Sequence, residues 1–248
     1  MQIRLIRHAT LWVEYADVQF LIDPMFSDKD VNPPIVNSSN TRRNPLVPLQ
    51  MPIDEISNPD VVLVTHLHQD HFDQAAIAAI PKHIPIICQP GNETSIQVNG
   101  FADVTSVEQT YNFQGITIIR TSGQHGTGEI GEKMGRVSGF IFQAEGEPTL
   151  YIAGDTIWCD DVRLALESYQ PDVTIVNSGG AQFNVGDPIT MDANDVIQVS
   201  QFAPYTKVIA VHMDTINHCL VTRRDLRERL IAERVIDQVV IPQDGEWF

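Results

Sequence analysis

Three histidines and an aspartate directly follow a short apolar run. The run, residues 61–64, reads Val-Val-Leu-Val, which is typical of a strand buried on both faces. Extended backbone places residues two apart on the same side, so the side chains of His66 and His68 are expected to point together. If the chain then turns, Asp70 and His71 form a second pair of ligands. Two imidazoles directed at one point suit Zn²⁺ or a similar ion, so the segment predicts a metal site where a buried strand ends.

The order of apolar segments divides the chain into a strand-rich first part and a second part in which strands and helices alternate. The alternation covers a strand at 172–177, a helix at 192–202, a strand at 207–211, a helix at 223–232 and a strand at 238–241. Strands with helices on their outer faces predict a layered α/β architecture. Earlier in the chain, the same patterns predict helices at 75–80 and 160–168, and strands at 3–6, 11–15, 18–22, 61–64, 84–88, 103–107, 116–120, 137–143 and 149–153.

The chain of 248 residues has neither an internal repeat nor a shift in composition that would mark a boundary. We therefore predict a single domain over 1–248. One segment, residues 25–52, is rich in Pro, Asn and Ser and has no periodicity. So long an irregular stretch inside a compact domain favours a functional flap over a linker.

Acidic residues outnumber basic ones, with 32 Asp and Glu against 16 Lys and Arg and a formal net charge of -16. Such a surface repels phosphate backbones and anionic lipids, so neither nucleic acid nor a membrane is an expected partner. The three cysteines, Cys88, Cys159 and Cys219, form no CxxC pair, which argues for a reducing compartment and against a disulfide framework. No signal-like or membrane-length apolar run occurs, and we expect a soluble cytoplasmic protein.

Three further candidate ligands stand where an apolar strand gives way to a polar loop. They are His125, Asp155 and His212. Together with the HxHxDH pattern of residues 66–71, their order resembles that of the metallo-β-lactamase superfamily. The resemblance extends over residues 3–245, which is nearly the whole chain.

This resemblance implies a fold, a cofactor and a set of ligands. The implied fold is a four-layer αββα sandwich, and the implied cofactor is two divalent metal ions, with Zn²⁺ expected first and Mn²⁺ or Fe²⁺ as alternatives. The implied ligands are His66, His68 and His125 for the first metal, Asp70, His71 and His212 for the second, and Asp155 as the bridge between them.

Two segments near the start of the chain narrow the resemblance to one branch of the superfamily. Residues 6–10 and 21–24 resemble the opening hairpin of a lactonase-like branch. That branch includes L-ascorbate-6-phosphate lactonase and, more distantly, N-acylphosphatidylethanolamine-hydrolysing phospholipase D. Residues 212–219 resemble the ending of the same branch.

The ligand set predicts metal-assisted hydrolysis of a small molecule. A hydroxide formed between two metals, from water whose pKa is lowered to about 7, is expected to attack an ester or lactone centre. Asp70 and Asp155 are the predicted catalytic carboxylates. Three alternatives stay open: a phosphodiesterase or phospholipase D-like hydrolase, a mononuclear iron redox enzyme, and a metal-binding protein without turnover. The chain is also compatible with a homo-oligomer.

A few residues are candidates for contact with the substrate. Arg42 and Arg43 are cations in the long loop, and they suggest an anionic substrate. His218, six positions after His212, is a candidate for a substrate or supporting role. His8 lies in an early strand and is more readily interpreted as a core or supporting histidine than as a catalytic one.

Residues 126–131 satisfy the pattern GxGxxG without the context that a dinucleotide site requires. Such a site needs a strand directly before the glycines and a helix directly after them. The segment lacks helical periodicity, and Glu129 would oppose a pyrophosphate. We predict a flexible active-site loop behind His125 instead.

Overall fold

The computed structural model describes residues 1–248 and has six strands in a first sheet. They are β1 (Gln2–Arg7), β2 (Thr10–Tyr15), β3 (Val18–Ile22), β4 (Val61–Val64), β5 (Ile86–Cys88) and β6 (Val104–Ser106). The strands lie side by side in chain order. β1 to β3 form an antiparallel meander, and β4 to β6 continue the sheet in parallel with β3.

A second sheet contains seven strands in the reverse of chain order. They are β7 (Thr110–Phe113), β8 (Ile116–Ser122), β9 (Ser138–Gln143), β10 (Leu150–Ile152), β11 (Val173–Asn177), β12 (Lys207–Val211) and β13 (Val239–Val240). β7 to β10 are antiparallel, whereas β10 to β13 are parallel. The parallel half corresponds to the alternating pattern of the sequence, because parallel neighbours require helical crossovers.

Six α-helices cover the outer faces of the sheets or lie near the strand ends. They are α1 (Gln74–Ala79), α2 (Glu93–Gln97), α3 (Gly128–Met134), α4 (Asp160–Tyr169), α5 (Ala193–Phe202) and α6 (Arg223–Ala232), with 3₁₀ turns at Ile53–Glu55 and Ile236–Gln238. Apolar residues of α1 and α2 pack with the first sheet, and those of α4, α5 and α6 pack with the second. No helix is both long and apolar enough to span a lipid bilayer.

The inner faces of the two sheets meet in an apolar core. Its cluster of 21 buried residues draws on strands of both sheets, among them Leu5 and Val13 from the first and Ile118 and Phe140 from the second. The rings of Phe20 and Phe142 meet across the interface with centroids 4.9 Å apart. Helix, sheet, sheet and helix therefore form four layers, and the predicted αββα sandwich is confirmed.

The fold brings polar strand ends from both sheets to one edge. His66 and His68 follow β4 of the first sheet, while Asp155 and His212 follow β10 and β12 of the second. His8 lies in the tight turn between β1 and β2, and its carbonyl oxygen accepts a hydrogen bond from the backbone N–H of His212 at 3.0 Å. Because the strand ends of the two sheets face each other here, residues far apart in sequence become neighbours.

Most predicted elements lie within two residues of their observed bounds, and the helix at 223–232 is reproduced without a shift. Three elements were not predicted: α2, β7 and α3. The prediction of a flexible loop over 126–131 was wrong in part, because Gly128–Met134 is helical. Residues 25–52 form no regular element apart from a bridge between Asn32 and Asn44.

Candidate metal centre

Asp155 lies at the centre of a cluster of histidines. Its Oδ2 atom is 3.2 Å from Nε2 of His71 and 3.6 Å from Nε2 of His125, and its Oδ1 atom is 3.2 Å from Nε2 of His212. Nε2 of His66 is 3.8 Å from Oδ2. One carboxylate therefore faces four imidazoles.

Two groups of side chains have ligand atoms within 4.8 Å of one another and are able to hold a metal ion. We call the set containing Asp155 the first cluster and the set containing Asp70 the second cluster. The first cluster is His66, His68, His125 and Asp155, and the second cluster is His8, Asp70, His71 and His212. All seven predicted ligands are thus brought together, and His8 is an addition.

The donor chemistry fits a divalent ion of the Zn²⁺, Mn²⁺ or Fe²⁺ type. Nε2 of His66 is buried and has no hydrogen-bond partner, which is costly unless another group binds there. Burial, followed by the proximity of His71, holds the pKa of His66 well below its usual value. Burial alone would raise the pKa of Asp155, but His212 and His71 outweigh it and hold this pKa well below its usual value. The neutral imidazole of His66 and the ionised carboxylate of Asp155 are the forms of these two groups that bind metal.

Partners outside the clusters orient the ligand rings. Nδ1 of His125 donates to the carbonyl oxygen of Ile189 at 2.8 Å, which leaves Nε2 free to act as a ligand. The amide of Asn177 donates to Oδ1 of Asp155 at 2.7 Å. Nδ1 of His212 lies 3.5 Å from the thiol sulfur of Cys219. Sequence reasoning missed these partners, since nothing in their spacing relates them to the ligands.

His8 supports the second cluster from the opening hairpin. Its Nε2 atom lies 3.1 Å from Oδ2 of Asp70, and its ring is 3.6 Å from the ring of His212, measured between centroids. Both His8 and His212 have positive φ angles, 63° and 70°, a conformation that is uncommon outside glycine. The surrounding packing therefore holds these two rings in a strained but defined position.

Asp23 is the most connected of the supporting residues. Its carboxylate accepts hydrogen bonds from the backbone N–H and the hydroxyl of Thr65, each at 2.7 Å, and it lies 2.8 Å from Nδ1 of His71. It is 2% exposed. The carboxylate therefore fixes both the end of β4, where the ligand segment begins, and the orientation of one ligand ring.

The Asp23→Asn variant should bind metal about 10–100-fold more weakly, since an amide cannot accept at all three positions and ligand-orienting groups typically have effects of this size. Competition against a chromophoric chelator measures the affinity. Asp60→Asn is the matched control, because Asp60 is an exposed aspartate at the other end of β4. Equal affinity for the two variants would contradict the role assigned to Asp23.

A cavity of about 240 Å³ opens beside the clusters, and His68, Asp70, His125 and Asp155 form its polar end. Its remaining wall is mainly apolar and includes no Lys or Arg. The long loop supplies part of this wall, as does Met134 from α3; the other apolar wall residues are Met25, Pro33, Ile35, Pro45, Phe183, Ile189 and Ile216.

Of the three residues predicted to contact the substrate, one lines the cavity and two do not. His218 lines the cavity. Arg42 is exposed and does not line it. Arg43 donates instead to the carbonyl oxygens of Asp30 and Val31 within its own loop. The two arginines are therefore not brought to the ligand clusters. The guanidinium of Arg43 is bound by the carbonyl oxygens of residues 30 and 31, and Arg42 faces solvent.

Comparison with known families agrees with this geometry. A family model described as a beta-lactamase superfamily domain matches residues 19–213. The chain belongs to the metallo-β-lactamase superfamily. Its similarity to curated proteins narrows the family: it is 36% identical to YddR, a UPF0173 protein of Bacillus subtilis, with 100% of this chain and 99% of YddR covered. The chain is thus a UPF0173 protein, and the lactonase-like branch stays a prediction.

Other relatives indicate a general activity. The chain is 27% identical to a UPF0173 metal-dependent hydrolase of Methanosarcina barkeri over 96% of this chain and 94% of the relative. It also superposes on the crystal structure of an isothiocyanate hydrolase from Delia radicum gut bacteria with a TM-score of 0.96 and 35% identity, covering 100% of this chain and 98% of that one. With its His and Asp clusters, the chain is a metal-dependent hydrolase of this superfamily.

Proposed function

We propose that this hydrolase acts on small, uncharged, apolar electrophiles, and that isothiocyanates are its substrate class. The observation that carries the proposal is the cavity at the ligand clusters, whose wall beyond the ligand residues is mainly apolar, with Asn32, Asn44, Gln69 and His218 as its polar members, and includes no Lys or Arg. Its volume of about 240 Å³ suits a compact molecule. Similarity to an isothiocyanate hydrolase supports the same class.

We propose further that the two clusters hold two divalent ions, with Zn²⁺ expected first and Mn²⁺ or Fe²⁺ as alternatives. Asp155 belongs to the first cluster, also lies 3.2 Å from His71 and His212 of the second, and is the proposed bridge. When bound, such ions polarise a substrate and lower the pKa of water to about 7. Asp70 and Asp155 carry the negative charge that balances part of the metal charge.

The chain's own residues position the substrate for this reaction. Met134, Phe183 and Ile216 hold the alkyl or aryl substituent away from water, and the electrophilic carbon then faces the polar end of the cavity. The net reaction is R–N=C=S + H₂O → R–NH₂ + O=C=S. The water oxygen bonds to the central carbon, the carbon–nitrogen bond breaks, and both water protons leave on the amine.

An anionic ester or lactone is the weaker alternative. Arg42 and Arg43, which would favour such a substrate, lie outside the cavity wall. A phosphodiester or phospholipid substrate is disfavoured for the same reason, because the cavity wall includes no Lys or Arg to bind its phosphate. Relatives named as metal-dependent hydrolases favour hydrolysis over iron redox chemistry and over a non-catalytic role.

Release of benzylamine from benzyl isothiocyanate by the Zn²⁺- or Mn²⁺-loaded protein tests the proposal. An uncharged lactone of similar size and a phosphorylated lactone serve as comparison substrates. We expect turnover of the isothiocyanate to exceed that of both, since its benzyl substituent is apolar and the wall is mainly apolar, whereas both lactones carry more polar oxygen atoms. Hydrolysis of the phosphorylated lactone without amine release would refute the substrate class.

The Met134→Glu variant should raise KM for benzyl isothiocyanate about tenfold, because it introduces a carboxylate into the apolar wall. Metal content should be unchanged, as Met134 belongs to neither cluster. Leu164→Glu is the matched control, since Leu164 is 61% exposed on α4. Steady-state kinetics on both variants give the comparison, and an unchanged KM in Met134→Glu would place the substrate elsewhere.

A further inference from the structure

One buried histidine at the cavity belongs to neither ligand cluster. His218 is 8% exposed and lines the cavity together with Asp70 and Asp155. Its ring lies beside that of Phe183, with centroids 5.9 Å apart. Neither of the two clusters, each of four residues, includes His218, so metal binding gives it no role.

The backbone around His218 is held on both sides. The N–H of Gln182 donates to the carbonyl oxygen of His218 at 2.9 Å, and the N–H of Cys219 donates to Ile216 at 3.0 Å. On the other side, the amide of Asn217 exchanges hydrogen bonds with the backbone of Ile35, at 2.8 Å and 3.0 Å. The ring of His218 is therefore presented to the cavity by a fixed turn, which is a requirement for pre-organised catalysis.

Neither ring nitrogen of His218 is used by the protein. Nδ1 is buried and has no hydrogen-bond partner, and Nε2 makes no hydrogen bond within the chain. Because His218 lines the cavity and its Nδ1 is buried, Nε2 is the nitrogen available to a bound substrate. A buried N–H without a partner is rarer than a buried acceptor without one, so the proton is placed on Nε2. Burial lowers the pKa of His218 to about 4, which agrees with a neutral ring.

We propose that His218 is a catalytic residue that donates a hydrogen bond from Nε2–H to the substrate atom that gains negative charge. The inference rests on the proposed function, which places the electrophilic carbon beside the ligand clusters. When the water oxygen bonds to that carbon, the electron pair of the C=N bond moves to nitrogen. A neutral donor stabilises this charge without giving up its own proton, because the protons that the amine acquires come from water.

Three substitutions of His218 distinguish the contributions of its two ring nitrogens. His218→Phe keeps the ring volume and the contact with Phe183 but removes both nitrogens. His218→Gln places an amide N–H near the position of Nε2, and His218→Asn places one near Nδ1. For benzyl isothiocyanate we expect kcat to fall about 100-fold in His218→Phe and His218→Asn with KM changed less than threefold, since the hydrogen bond strengthens only in the transition state. The kcat of His218→Gln should be at least tenfold higher than that of His218→Phe.

Metal content and thermal stability of each variant are measured alongside the kinetics. His83→Phe is the matched control, because His83 is an exposed histidine and should leave turnover unchanged. Turnover within threefold of the unmodified protein in His218→Phe would overturn the proposal. So would equal activity of the Gln and Asn variants, because donation from Nε2 requires them to differ.

A second measurement distinguishes failure of this proposal from failure of the proposed function. If the unmodified protein releases no benzylamine, the substrate class is wrong, and the state of His218 is then read by ¹⁵N NMR of the zinc-loaded, histidine-labelled protein. The signal is assigned by its absence in His218→Gln. A proton on Nε2 supports a donor that faces the cavity, whereas a proton on Nδ1 overturns it.

Discussion

Replacing Asp155 by asparagine should lower turnover by more than about 1000-fold and empty both ligand clusters of metal. The carboxylate lies 3.2–3.8 Å from nitrogens of four histidines, two of the first cluster and two of the second. An amide removes one negative charge and directs an NH₂ group at one cluster. Metal ions contribute several kcal/mol to such reactions, and each 1.36 kcal/mol corresponds to a factor of ten.

The control for this variant is Asp160→Asn, the same change five residues further along the chain. The side chain of Asp160 is 91% exposed, and it pairs only with Arg163 on α4. Elemental analysis and amine release are measured on both proteins. A variant at Asp155 that keeps both its metal and a tenth of its activity would contradict the bridging role.

The grouping of the candidate ligands was predictable because each of them follows a local pattern. A buried strand precedes His66, and apolar strands precede Asp155 and His212, so the residue type and its place at a strand end are both visible in the sequence. The sheets follow from the same patterns. Only short elements without strong periodicity were missed, such as α2, which has five residues, and α3, which begins with a glycine.

The supporting residues were not predictable, because their roles exist only in the folded chain. Asp23 orients His71 across 48 residues, and Asn177 reaches Asp155 from the neighbouring strand. Hydrogen bonds of this kind leave no periodic signal. The position of Arg43 was not predictable either. Its charge suggested substrate binding, whereas in the folded chain it donates to the carbonyl oxygens of residues 30 and 31.

The long loop, residues 25–52, has one feature that the sequence predicted and one that it did not. Its irregularity indicated a functional flap, and the structure places Ile35, Asn44 and Pro45 in the cavity wall. Its position depends on Asn217, whose backbone N–H donates to the side chain of Asn44 and whose side chain binds the backbone of Ile35. A residue adjacent to His218 thus holds the part of the loop that lines the cavity, so this part of the wall and the proposed donor depend on one turn.

Removal of metal by a chelator should lower the melting temperature by about 10 °C and abolish turnover. An ion that binds only the folded state at a free concentration 1000 times its Kd stabilises that state by about 4 kcal/mol. For a chain of this size each kcal/mol changes the melting temperature by about 2–4 °C. Without the ion, His66 keeps a buried nitrogen that lacks a partner.

Thermal melts of the metal-loaded protein, with and without chelator and after metal is restored, measure this shift. The Asp155→Asn variant is the internal control: because its clusters should already be empty, a chelator should barely change its melting temperature. An unchanged melting temperature in the unmodified protein, despite proven loss of metal, would show that the clusters are stable without an ion. The metal would then act in catalysis alone, since the hydrogen bonds of Asp23, Asn177 and Ile189 would suffice to hold the ligands in place.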